Sequence, residues 1–407
     1  MKTPHPRKVT VLLAVAAVSI VATGCTESVA SPNPEVDGYQ CAYNHNAPVA
    51  LVIGARANSP EPQLPGKAQE LVSAAADNGQ LVTIVRIDGS PRIVFQKQLK
   101  HTAQNDESRR DELNRFLGEI RSVLRGTPPS PWLPVGAEQP EANVLLAFRL
   151  GVRAVPEKGT VIVVDSGVQT VEPLNFQGDG MLAVEPADLV DYVKQIKLLP
   201  DAKGRQVLFS GLGDTALPQA RLEAYRANIV ALWRGIAKAG GACVDVDSQP
   251  TTRDARTGVP SVSVVNPPPP PPPPTQPPPC STVDLADNNN VGFLPNQDVF
   301  RNPRGARATL KELAAALLSD PRQHLRLTGT SANFGTEAGR IQLSNDRAKA
   351  VENALVNDMG VPRERISSTG VGTHFPGFKQ DHGPNGEMLS AAAEQNRKVI
   401  AELVCEP

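Results

Sequence analysis

The sequence predicts an α/β chain of two domains, a doubly wound, mostly parallel sheet followed by a smaller α+β domain, with a proline-rich rod between them. Three observations predict it. A length of 407 residues is too great for one ordinary core. Short apolar runs alternate with amphipathic stretches in both halves of the chain. An unbroken run, Pro267–Pro274, part of a total of 39 prolines, separates the halves.

The N-terminus comes before either domain. Lys2, Arg7 and Lys8 give it a positive start, and Val9–Ala22 is uncharged and apolar. That run has the length of a signal-peptide core and falls short of the roughly 20 residues a membrane span needs. It ends in Val21-Ala22-Thr23-Gly24-Cys25, which resembles a bacterial lipobox, with Ala22 where the motif prefers Leu. The resemblance implies cleavage of residues 1–24 and diacylation of Cys25, hence an extracytoplasmic protein of the cell envelope anchored by lipid to a membrane. An ordinary secretory signal with a chance cysteine is the alternative. Residues 25–40 are rich in Ser, Pro and Glu, without periodicity, and read as a spacer.

Setting Cys25 aside leaves Cys41, Cys243, Cys280 and Cys405, an even number in an oxidising compartment. Four cysteines allow three pairings. Spacing favours Cys41–Cys243 and Cys280–Cys405, since each pair brackets one domain. Loops this long give an upper range of about 4–5 kcal/mol per bridge in the chain-entropy model. Metal binding is the competing reading, and isolated cysteines without C-x-x-C or nearby His argue against it.

The first domain is expected over residues 41–250. Ala47–Gly54 reads as a buried strand, followed by a helix over Lys67–Ala76. Leu81–Ile87 and Arg92–Phe95 flank Asp88-Gly89-Ser90-Pro91, a hairpin signal. Helices are expected at Glu107–Leu124 and Glu141–Ala154, then strand Thr160–Val164, helix Pro186–Ile196, strand Arg205–Phe209, helix Gln219–Lys238 and strand Cys243–Val246. Continuous apolar strands between helices imply a parallel sheet covered on both faces, with one antiparallel hairpin strand. This order resembles a von Willebrand factor type A domain in topology. That family's metal site needs Asp-x-Ser-x-Ser after the first strand, whereas this chain has Gly54-Ala55-Arg56-Ala57-Asn58, so no metal is expected there. Asp165-Ser166-Gly167 ends a strand and could face the sheet's carboxyl-end crevice. Gly211-Leu212-Gly213-Asp214-Thr215-Ala216 formally fits a dinucleotide turn but follows a late strand, and reads as a tight strand-to-helix connection.

Residues 251–279 read as the linker. Its proline tract, Asn266–Pro279, should adopt polyproline II, a semi-rigid spacer of roughly 40 Å.

The second domain is expected over residues 280–407. It begins with a strand near Val291–Phe293 and a helix over Arg307–Leu318 whose Leu310, Leu313, Ala314 and Leu317 form one stripe. Strand His324–Gly329, a long helix Glu337–Met359, and strands Arg365–Gly370 and Arg397–Leu403 complete it. On the long helix, Leu343, Ala350, Val351 and Ala354 define an apolar arc, and Arg347 falls inside it. A buried guanidinium is costly unless a carboxylate pairs with it.

Leu343-Ser344-Asn345-Asp346-Arg347-Ala348, with Gly329 before it and Gly370-Val371-Gly372, Pro376 and Asn396-Arg397-Lys398-Val399 after it, resembles the OmpA-like C-terminal domain found also in peptidoglycan-associated lipoproteins. The resemblance covers about 120 residues. It implies non-covalent binding of the diaminopimelate-containing stem peptide of peptidoglycan, with Arg347 on the ligand's carboxylate. One departure bears on affinity. The family carries Asp in a Gly-His-Thr-Asp segment to receive the ligand's ammonium, but this chain reads Gly329-Thr330-Ser331-Ala332. The family's Asn further on is replaced by Arg340. The expectations are therefore weak binding of peptidoglycan, binding of a different anionic group, or a scaffold role alone.

Several function classes drop out. Lys plus Arg is 41 against Asp plus Glu 42, and 4% of residues are aromatic, so neither a basic surface nor a base-stacking platform for nucleic acid is expected. The six histidines are scattered and no nucleophile–base order stands out, so no enzyme and no cofactor are expected. The expected function is a tether between membrane and cell wall. The alternative is an envelope scaffold whose first domain recruits an unknown protein partner and whose second no longer binds peptidoglycan.

Overall fold

Four short, largely apolar segments, and one that alternates apolar and acidic residues at the sheet edge, suit a sheet covered by helices on both faces. In the computed structural model they are β1 (Val49–Ile53), β2 (Leu81–Arg86), β4 (Thr160–Val164), β5 (Gln206–Ser210) and β6 (Cys243–Asp247). With the hairpin strand β3 (Arg92–Gln98) they form a six-stranded sheet in the order β3-β2-β1-β4-β5-β6. All neighbours are parallel except β2 and β3, as the Asp88–Pro91 turn required. The structure describes residues 40–127, 135–178, 181–251, 253–267, 273–294, 297–384 and 389–405.

Helices fill both faces of this sheet. Leu71 and Val72 of α1 (Gly66–Asp77) and Phe116 and Ile120 of α2 (Asp106–Leu124) pack on one side, against Leu51 and Ile84. Phe148 of α3 (Val144–Arg153), Leu189 of α4 (Pro186–Gln195) and Trp233 of α5 (Arg226–Ala239) pack on the other. The helix expected from Gln219 starts later, at Arg226. Gln219 instead uses its side chain to receive Val265 N at 2.7 Å and to donate to Val265 O at 2.8 Å, which holds the preceding residues as a loop.

That contact also corrects the expected linker. Residues 253–265 belong to the first domain: Ala255 bridges Pro60, Asn58 Nδ2 donates to Val262 O at 2.9 Å, and Val262 and Val265 lie in the core. The separating segment therefore begins at Asn266 rather than at residue 251. Of the proline run, residues 268–272 lie outside the described residues, as do residues 1–39 with the expected signal peptide, Cys25 and most of the spacer.

The second sheet has four strands in the order β7-β10-β8-β9, namely β7 (Thr282–Leu285), β10 (Val399–Cys405), β8 (Gln323–Gly329) and β9 (Ile366–Gly370). Only β8 and β9 run parallel. The strand expected near Val291–Phe293 is not a member of the sheet; Phe293 makes an isolated bridge to Phe300. Its place is taken by β7, whose polar Thr282-Val283-Asp284-Leu285 hid it. Helices α6 (Pro303–Ser319) and α7 (Glu337–Asn353) cover one face with Leu310, Leu313, Ala348 and Val351, and α7 ends in a wider turn, Ala354–Asp358. A short helix the sequence did not announce, α8 (Ser390–Asn396), precedes β10. Disulfides join Cys41 to Cys243 and Cys280 to Cys405, with Cα separations of 5.8 and 5.3 Å. The chain is thus an α/β protein with a parallel-rich sheet followed by an α+β domain. No helix among the described residues is long and apolar enough to cross a membrane.

Candidate functional site

Two glycines set α7 where it lies. A Cβ on Gly329 would come within 1.8 Å of Ser344 O, and one on Gly370 within 2.2 Å of Asn345 N. Only bare backbone lets α7 sit this close on β8 and β9. Thr336 caps the helix by receiving Gly339 N at 3.2 Å, and Ser344 Oγ receives Gly372 N at 3.0 Å. These contacts fix the turn that carries Arg347.

Arg347 is buried, 3% exposed, as its place in the apolar arc required. Its Nε donates to Gln297 O at 3.0 Å and its Nη2 to Leu294 O at 3.4 Å, while the guanidinium stands 5.4 Å from the centre of the Phe293 ring. These partners are neutral. Among the described residues no carboxylate lies within ion-pair distance of it. Burial, and then the charge of neighbouring Arg397, pull its pKa down to about 10. It is still a cation at neutral pH; Glu394 and Asp188 act on its charge from beyond ion-pair distance, and both are paired with Arg397.

Beside it opens a cleft of about 340 Å³, lined by Arg347, Arg340, Arg397 and Ala332 of the second domain and by Asp188 and Asp191 of α4. Two polar atoms on its wall have no hydrogen-bond partner among the described residues, Ser331 Oγ and Arg340 Nε. Ser331 is only 3% exposed. Buried polar groups in folded proteins are nearly always satisfied, so these two atoms are open to a hydrogen bond with water or a ligand.

Next to the cleft, sharing Asp188 and Arg397 with it, is an ionic cluster spanning both domains. Arg397 pairs with Asp188 of α4 and, at 3.3 Å, with Glu394 of α8. Arg301 reaches Asp287 at 2.5 Å, Glu185 of the first domain at 3.2 Å and Glu394 at 3.6 Å. Burial raises the Glu394 carboxyl to about pH 8, and its contact with Asp287 adds to the rise. Glu185 is raised in the same sense by burial. Burial works against the Arg301 charge, but Asp287, Glu394 and Glu185 outweigh it and the net shift is upward.

Of these groups the sequence singled out Arg347, Ala332 and Arg340, and quoted Arg397 as part of a motif. The structure gathers all four around one cleft. Glu185, Asp188, Asp191 and Arg301 were missed. Asp188, Asp191 and Gln195 recur at helical spacing on one face of α4, which is the one signal available. Asn396 of the same motif is wholly buried and structural: its Nδ2 donates to Asp381 Oδ2 at 3.1 Å and to Lys379 O at 2.8 Å.

The carboxyl end of the first sheet holds a different arrangement. Arg56 Nε donates to Asp165 Oδ2 at 3.1 Å and Nη2 to Asp165 Oδ1 at 3.0 Å, a two-point pair with both side chains essentially inaccessible. Ser59 Oγ and Gly167 N supply the remaining hydrogen bonds to that carboxylate, at 3.3 and 2.7 Å. The guanidinium is thus fully engaged by an acid of its own domain. The Gly211–Ala216 segment is a tight turn, with Gly213 N donating to Ser166 O at 2.8 Å and Asp214 paired with Arg226.

Comparison with known proteins bears on the second domain. Residues 293–387 match the profile of the OmpA family. Among solved structures, the peptidoglycan-associated lipoprotein of Burkholderia pseudomallei is 25% identical over 28% of this chain and 86% of that one, with a TM-score of 0.23. The OmpA-like domain of FopA1 from Francisella tularensis is 19% identical over 31% and 75%, with a TM-score of 0.22. The periplasmic domain of Helicobacter pylori MotB is 17% identical over 31% and 76%, with a TM-score of 0.25. No curated protein matches the chain. The second domain, with its Gly329–Gly370 platform and the Arg347 helix, is an OmpA-family domain.

Proposed function

We propose that the protein is a lipid-anchored tether of the cell envelope, held to a membrane through Cys25 and to the cell wall through its OmpA-like domain. The single observation that carries this reading is the Arg347 guanidinium, buried beside an open cleft with only neutral partners. A carboxylate of a peptidoglycan stem peptide would supply the missing counter-charge by the two-point geometry that arginine favours. The OmpA family of the domain supports peptidoglycan as the source of that carboxylate. Neither a catalytic step nor a cofactor enters this reading, and the partner of the first domain is a second protein of the envelope.

The test is cosedimentation of the full chain with purified diaminopimelate-type peptidoglycan, comparing the parent with Arg347→Ala. Loss of binding by about tenfold or more in the variant is expected. Equal sedimentation of both proteins would reject wall contact through this site. Labelling with a palmitate analogue in cells, lost on Cys25→Ala, tests the anchor.

A second reading is a scaffold whose OmpA-like domain does not hold the wall. It is favoured by one observation: Ala332 lines the cleft where the family has its acid. It predicts that protein crosslinks to the first domain survive Arg347→Ala unchanged while peptidoglycan binding is absent in both proteins.

A further inference from the structure

The OmpA-like domain alone presents an unbalanced cleft. Arg340, Arg347 and Arg397 line it, and the second domain contributes no carboxylate to its wall, since Ala332 stands where the family's acid would be. A stem-peptide amino acid that carries both a carboxylate and an ammonium would find a receptor for the first and none for the second. The opposite wall changes this. It is formed by α4 of the first domain, whose Asp188, Asp191 and Gln195 face the cleft from successive turns.

The two acids differ in state. Asp188 is engaged by Arg397 and half-buried. Asp191 is exposed, one turn further along, and forms no ion pair among the described residues. The wall is also fixed in place. Arg301 binds Glu185, just before α4, and Arg397 binds Asp188 within it, so both arginines of the second domain grip the start of the helix.

We infer that the ligand site is composite, with Arg347 of the second domain receiving a carboxylate and Asp191 of the first receiving the ammonium of the same zwitterionic amino-acid head. This rests on the peptidoglycan reading above and adds the residue that decides which stem peptides are held. The cleft volume of about 340 Å³ is enough for one such head group. Ser331 Oγ and Arg340 Nε, both without partners among the described residues, belong to residues that line the same cleft. The acid the family keeps on its own loop has in this chain been moved across to the neighbouring domain.

The experiment uses the full chain and purified diaminopimelate-type peptidoglycan, either untreated or with its amines chemically acetylated. Asp191 is exposed on a helix, so Asp191→Asn and Asp191→Lys leave the fold intact. Affinity for untreated wall is expected to fall about five- to tenfold in Asp191→Asn and further in Asp191→Lys. Acetylation should weaken the parent by a similar factor and leave Asp191→Asn unmoved, which a structural role for Asp191 would not produce. Unchanged binding in both Asp191 variants, with Arg347→Ala still impaired, overturns the composite site while leaving wall binding through Arg347 intact. Tighter binding in the variants also overturns it and makes α4 a plug. If the parent and Arg347→Ala sediment alike, the peptidoglycan reading itself fails, and the composite site with it.

Discussion

Arg56 and Arg347 are both buried, one in each domain, and their surroundings could hardly differ more. Arg56 meets Asp165 in a two-point ion pair, and every lone pair of that carboxylate is directed at Arg56, Ser59 or Gly167. Arg347 meets two backbone carbonyls and a phenyl ring, with a cleft alongside. Burial of a charge is tolerated when a partner is built in, and it points to an outside partner when none is. The same residue type is therefore satisfied by an internal acid in one domain and by neutral groups in the other, and the proposed ligand role rests on that difference.

The sharpest break of this contrast is Asp165→Ala. Removing the acid strands Arg56 in a dry site, and a loss of about 3–5 kcal/mol is expected, read as a lowered denaturant midpoint of the first domain. Arg347→Met should behave oppositely. With no ion pair to break, stability is expected to stay within about 1 kcal/mol of the parent even as wall binding is lost. Equal destabilisation by the two substitutions would erase the distinction.

The interdomain cluster adds a pH dependence. A carboxyl raised to about pH 8 keeps its proton in the folded chain over a range where the unfolded chain has released it. Stability from Glu394 is thus greatest at low pH and falls as pH climbs from the ordinary carboxylate range through 8. Glu394→Gln, which mimics the protonated form, should match the parent at pH 5 and melt about 2–4 °C higher at pH 9, the shift that ~1 kcal/mol gives a domain of moderate size. The smallest effect is expected from Ser331→Ala. Deleting a hydroxyl that has no partner among the described residues should change stability by less than about 0.5 kcal/mol, and wall binding about a few-fold.

Much of this was legible in the residues. Continuous apolar strands announced the first sheet, the Asp88–Pro91 turn its antiparallel edge, and an arginine inside an apolar arc its own burial. What escaped has physical causes. Strand β7 is short and polar because it sits at a sheet edge with one face wet. Residues 253–265 look like linker because they cover the core with Val262 and Val265 while lacking any period. The pairing of Asp188 with Arg397 joins side chains 209 positions apart, and no local pattern encodes a contact at that range.

The Cys280–Cys405 bridge has a mechanical consequence. Tension arriving along the proline segment enters the second domain at Cys280, next to edge strand β7, which pairs with β10 on one side only. Pulled from its end, such a strand would unzip rung by rung. The bridge hands the force to β10 at once, and β10 is laddered on both flanks, to β7 and to β8. A chain stretched between two surfaces would thus be gripped by the middle of its sheet instead of its hem.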